Sequence, residues 1–115
     1  MERVEVGLRL LLGLRRGRVT LREAVEILEL ASKAPEVVRE AMEEGERRGL
    51  LKRSGDGLLL GLEFPRPRVR RAGEPGKCRR CGKNLRACYY LILGEEEVGP
   101  LGPECLRRLK LRITS

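Results

Sequence analysis

Four cysteines, Cys78, Cys81, Cys88 and Cys105, are the residues of this chain whose type and spacing could do chemistry. Thiolates are soft ligands, and a set of four meets the tetrahedral preference of zinc. In Cys78-Arg79-Arg80-Cys81-Gly82-Lys83 two residues separate the thiols, which lets both sulfurs of one tight turn face the same cation while Gly82 allows the backbone to reverse beneath it. Cys88 follows after 6 residues and Cys105 after another 16. Two disulfides are an alternative, although the two-residue spacing is a redox or metal spacing more often than a structural bridge. Iron or an iron–sulfur cluster is another, because thiolates alone do not choose the metal. The favoured reading is one zinc ion held by all four cysteines. Such a site is closed and redox-inert, hence structural and not catalytic. With no histidine, no glycine-rich phosphate loop and no nucleophile beside a base, the chain is not expected to be an enzyme.

The elements around the cysteines can be read from their neighbours. Cys105 follows Gly99-Pro100-Leu101-Gly102-Pro103-Glu104. Pro103 suits the first position of a helix, which puts Cys105 in the first turn, where free amides favour a thiolate. Leu106, Leu109 and Ile113 then form the inner face of that helix. Cys88-Tyr89-Tyr90-Leu91-Ile92-Leu93 has the composition of a strand, and Gly94 to Val98 reads as its acidic turn. Tyr89 and Tyr90 point to opposite faces of that strand, so one is expected to be buried and the other is able to stack on an exposed base. Residues 64–77 carry Pro65, Pro67, Gly73, Pro75 and Gly76 among arginines. Such a stretch can form neither a long helix nor a central strand and reads as an extended basic linker.

The first 63 residues follow helical spacing instead. Val4, Leu8, Leu11, Leu12 and Arg15, widened by Leu10 and Leu14, predict a helix over about 2–16 that Gly17 ends. Thr20-Leu21-Arg22-Glu23 is a capping box opening a second helix to about Ala31, with Leu21, Ala24, Val25, Leu28 and Ala31 facing the core. Pro35 starts a third, to about Arg48, with Val38, Ala41 and Met42 inward and Gly49 in the left-handed position after it. Leu50 to Arg53 and Leu58 to Leu62 flank Ser54-Gly55-Asp56-Gly57, a hairpin turn.

Arg48-Gly49-Leu50-Leu51-Lys52-Arg53, followed by the Gly-Asp-Gly turn, resembles the start of the wing in the winged helix-turn-helix superfamily, over about residues 1–63. The Cys78–Cys81 turn looks like a zinc knuckle. Together with the Gly-Pro-x-Cys start of the last helix, it is similar to zinc-ribbon or treble-clef modules. The whole chain looks like uncharacterised small archaeal proteins that pair the two, and that resemblance also makes all four cysteines metal ligands. The expected architecture is therefore α+β: a winged-helix domain at 1–63, a linker at 64–77 and a zinc-binding β-hairpin/helix module at 78–115.

Charge separates these parts. Of the net +8, residues 1–63 contribute nothing, with 12 Lys or Arg against 12 Asp or Glu, while residues 64–115 hold 13 against 5. Four thiolates around one zinc add about −2, which leaves that half strongly basic. Its cations, Arg66, Arg68, Arg70, Arg71, Lys77, Arg79, Arg80, Lys83, Arg86, Arg107, Arg108 and Lys110, are the candidate phosphate-binding residues. The third helix instead carries Glu36, Glu40, Glu43, Glu44 and Glu46, which phosphates would repel, so base reading through it is not expected. The absence of glutamine, with a single asparagine and many charges, fits a thermophilic source. No apolar run approaches the roughly 20 residues of a membrane span, and the start lacks signal-peptide character, so a cytoplasmic location is expected. The expected function is that of a non-enzymatic, zinc-containing nucleic-acid-binding protein, transcription-associated. An RNA-binding or ribosome-associated factor, and an adaptor docking on a machine such as RNA polymerase through the winged helix, are the alternatives.

Overall fold

The computed structural model describes residues 2–109. They form a mixed α+β chain of four helices and small antiparallel sheets, divided into two compact units, Met1–Arg66 and Pro67–Ser115.

The first unit is organised around helix α1 (Arg3–Leu14), which is apolar on nearly every side and correspondingly enclosed: Val6, Leu8, Leu10, Leu11, Leu12 and Leu14 are all buried. Strand β1 (Arg18–Thr20) leads directly into α2 (Leu21–Leu28), and α3 (Pro35–Arg47) follows a short turn. The capping box at Thr20 forms as its sequence requires. The Glu23 amide donates to Thr20 Oγ1 at 3.1 Å and the Thr20 amide to Glu23 Oε1 at 3.3 Å. Pro35 occupies the start of α3, and Gly49 (φ 74°) turns the chain out of it, with the Leu50 amide donating to the Gly45 carbonyl at 2.8 Å. Strands β2 (Leu51–Ser54) and β3 (Gly57–Leu60) make the expected hairpin. The third strand of that sheet was not foreseen. β1 pairs with β3 to give the order β1-β3-β2, and three residues are too few to leave a periodic signal. Leu21, expected in the core, is 40% exposed because it is the first residue after the cap. Ile27 fills the core face instead, and α2 ends at Leu28, three residues before the expected Ala31.

The second unit contains a three-stranded sheet of order β4-β7-β8, formed by β4 (Arg68–Ala72), β7 (Cys88–Leu93) and β8 (Glu96–Leu101). A small ladder of β5 (Gly76–Lys77) with β6 (Asn84–Leu85) and the helix α4 (Pro103–Arg108) complete it. The segment 64–77, read as a linker, thus supplies two strands. β4 lies at the edge of its sheet, where flanking prolines remove no ladder hydrogen bond, so proline content alone did not reveal it. The acidic turn is also shorter than expected: Glu96 and Glu97 already pair with Leu93 and Ile92 in β8. Ala72, Leu91, Leu93, Val98, Leu101, Leu106 and Leu109 are among the buried apolar residues of this unit, and Ile113, expected beside them, lies outside the described residues.

Candidate metal centre

The knuckle is built by its backbone. The Gly82 amide donates to the Cys78 carbonyl at 2.8 Å and the Cys78 amide to the Lys83 carbonyl at 2.9 Å, while Gly82 sits at φ 76°, a conformation that a side chain would oppose. A longer-range bond fixes the turn to the end of β8, where the Arg79 amide donates to the Pro100 carbonyl at 2.7 Å. Three residues beyond Pro100, α4 begins and delivers Cys105 in its first turn. Close packing holds that approach. A Cβ on Gly102 would lie 2.7 Å from Leu85 Cδ2, so glycine lets β6 and the start of α4 meet.

The result is a cluster in which the sulfurs of Cys78, Cys81 and Cys105 all lie within 4.8 Å of one another, Cys78 and Cys105 being 3.4 Å apart and buried. A tetrahedral zinc with sulfurs at about 2.3 Å separates them by roughly 3.8 Å. The three thiols are therefore close enough to hold a metal ion at three corners of a tetrahedron. Cys88 is buried too but does not belong to this cluster. Its sulfur rests over Gly76, where a Cβ would stand 2.8 Å away.

Electrostatics divide the thiols unequally. Burial pushes the Cys78 thiol up, but the amides of Cys81, Gly102 and Arg80 directed at its sulfur more than offset this and bring it down to about 7. Burial and the proton shared with Cys78 push Cys105 up, and the Arg80 guanidinium, 3.8 Å from its sulfur, opposes only part of that. The helix start was expected to favour the Cys105 thiolate. Instead the peptide donors, including that of Gly102 just before the helix, serve Cys78, and burial dominates at Cys105. Sequence reasoning had no means of finding Gly76, Gly102 and the Pro100 carbonyl as supports, since each acts by a close approach that only folding creates.

The candidate phosphate-binding cations differ in their exposure. Arg68, Arg70, Arg71, Lys77, Arg79, Lys83, Arg86, Arg107 and Arg108 are exposed, whereas Arg80 is half-buried against Cys105. Arg70 is engaged: it makes a two-pronged ion pair with Glu97, at 2.8 and 3.2 Å, and its guanidinium lies 4.8 Å from the Tyr90 ring centre. Arg66 is exposed and falls in the first unit, and Lys110 lies outside the described residues. Neither tyrosine is fully buried. Tyr90 carries Arg70, while Tyr89 lines a cavity of about 320 Å³ that also reaches Cys81 and Cys105.

Among the described residues no helix is long and apolar enough to cross a membrane. Residues 3–113 match the model of a family described only as of unknown function, DUF5830. No curated protein and no solved structure matches the chain.

Proposed function

The chain belongs to the DUF5830 family, and from its own residues we propose that it is a non-enzymatic nucleic-acid-binding protein in which one structural zinc ion orders a basic platform. The observation that carries this reading is the exposure of charge in the unit that holds the cysteines. Of the ten described cations in Pro67–Ser115, nine are exposed, and all of the chain's net positive charge lies beyond residue 63. Cations held apart in water at this density repel one another, and a polyanion relieves that repulsion while releasing its own counterions. Zinc supplies no chemistry beyond cross-linking. It ties the knuckle to the first turn of α4, and so fixes Arg79, Lys83 and Arg107 relative to one another. Cys88 is the proposed fourth ligand, being the one remaining cysteine and buried with its sulfur beside Gly76, two residues before Cys78.

The order α1-β1-α2-α3-β2-β3 with a β1-β3-β2 sheet supports a winged helix in the first unit. This favours a transcription-associated role. Its third helix, however, exposes Glu36, Glu40, Glu43 and Glu46, which argues that this unit docks a basic partner surface and leaves the phosphates to the second unit. The test is to purify the protein without added metal, measure its metal content, and titrate nucleic acid at several salt concentrations. About one zinc per chain and an affinity falling steeply with salt are expected. Iron in place of zinc would overturn the metal assignment, and absent or salt-independent binding would overturn the function.

A further inference from the structure

The cavity beside the metal centre is shaped and lined for something other than phosphate alone. Of about 320 Å³, it is near the lower end of the size at which pockets enclose small ligands, roughly 300 Å³. Its walls combine the Tyr89 ring with the apolar surfaces of Leu85 and Pro103. Asn84 contributes a side-chain amide that both donates and accepts, and it is exposed, so its hydrogen bonds are available to a guest. Glu104 adds an acceptor, with Lys83 Nζ 4.0 Å from its carboxylate. Two exposed cations, Lys83 and Arg86, stand at the same cavity, and β4 places Arg71 directly opposite Tyr89 in register, hence on the same face. A flat apolar face, a two-way amide, an acceptor and surrounding positive charge match one kind of occupant: a planar heterocycle with polar edges that carries phosphate.

We propose that this cavity receives a single unstacked nucleotide from a single-stranded nucleic acid, with its base against Tyr89, its polar edge toward Asn84 and Glu104, and its flanking phosphates near Lys83, Arg86 and Arg71. This rests on the polyanion-binding role proposed above and adds to it a preference that phosphate contacts cannot give. A duplex keeps its bases stacked and paired, so a concave site reads them only after they are turned out. A single strand offers them without that penalty.

The experiment uses the full-length, zinc-loaded protein and labelled oligouridylate and oligodeoxyuridylate, which differ only in the sugar, each compared by anisotropy with a strand of equal length and charge whose bases have been removed. Stacking of one base predicts binding about tenfold tighter to at least one base-bearing strand than to its abasic counterpart, with the same salt slope for both. The tighter of the two identifies RNA or DNA as the source. Tyr89→Ala should erase that preference while leaving abasic binding unchanged, and Tyr89→Phe, which keeps the ring and its packing, should retain it. Equal affinity of the wild-type protein for base-bearing and abasic strands would overturn the cavity assignment while the phosphate-binding role stands. Failure to bind any single strand would overturn the cavity assignment, and failure to bind duplex nucleic acid as well would overturn both.

Discussion

The three clustered thiols are not equivalent to the fourth, and replacing them one at a time separates their roles. Cys78→Ser, Cys81→Ser and Cys105→Ser each remove a sulfur from the set within 4.8 Å. Each is expected to leave purified protein with well under one zinc per chain, measured by elemental analysis. Cys88→Ser should lose the least, because the three thiols gathered within 4.8 Å stay intact and water can take the vacant corner. Equal loss in all four variants would show that Cys88 is held as firmly as the others. Close packing makes a second residue decisive. A Cβ on Gly45 would lie 2.5 Å from Leu51 Cδ1 and 3.0 Å from Leu8 Cδ2, both on buried side chains. Alanine gains about 1 kcal/mol of helix propensity, but overpacking costs about 1–3 kcal/mol. Gly45→Ala should therefore destabilise the first unit by up to about 2 kcal/mol in denaturant unfolding, and a stabilised variant would mean that Leu51 moves aside freely.

Helix α2 depends on its cap more than on its length, since eight residues are too few to be stable alone. Thr20→Ala removes the acceptor for the Glu23 amide and should cost about 1 kcal/mol. The same element links stability to pH. The bond from the Thr20 backbone amide holds the Glu23 carboxyl below its ordinary value of 4.5, and the Arg48 guanidinium, 2.7 Å from Glu5, does the same for Glu5 on α1. A carboxyl that is more acidic in the folded chain stabilises it above the unfolded value, and that contribution disappears as pH falls through the folded value. The thermal stability of the first unit should therefore begin to fall as pH drops below about 4.5. The decline should be shallower in a Glu23→Gln, Glu5→Gln double variant, which removes both titrating carboxyls, as followed by circular dichroism. An equal decline would assign the acid sensitivity to other groups. Because both carboxylates are largely solvated, each contributes modestly.

For the whole molecule, the charge is distributed so that the two units should respond to different reagents. Chelation should unfold Pro67–Ser115, whose modest apolar core depends on the proposed ion, and leave the leucine-rich core around α1 intact. A single melting transition in chelator, that of the first unit, joined by the transition of the second unit when zinc is restored, would be the signature. Replacing Arg66, Arg68, Arg70 and Arg71 with alanine should weaken nucleic-acid binding and reduce its dependence on salt by up to about four phosphate contacts. The structure suggests a smaller change, because Arg70 is already paired with Glu97. An unchanged slope would remove β4 from the contact surface.

Much of this protein was legible before folding because its signals are local. The capping box at Thr20, Pro35 and Gly49 at the ends of α3, the Gly55-Asp56 turn, strand β7 and the Pro103 start of α4 each depend on residues a few positions apart. Charge separation between the two halves was likewise a matter of counting. The tertiary structure decided what depends on distant partners. Strands β1 and β4 exist because β3 and β7 offer free edges, not because their own residues demand it. Gly102 and Leu85 decide how closely β6 approaches the start of α4, and the directed amides decide which thiol releases its proton more readily. The cysteine spacings identified four potential ligands; only folding gathered three of them and left the fourth over Gly76, since the position of a sulfur in space is set by the packing of every element between it and the others.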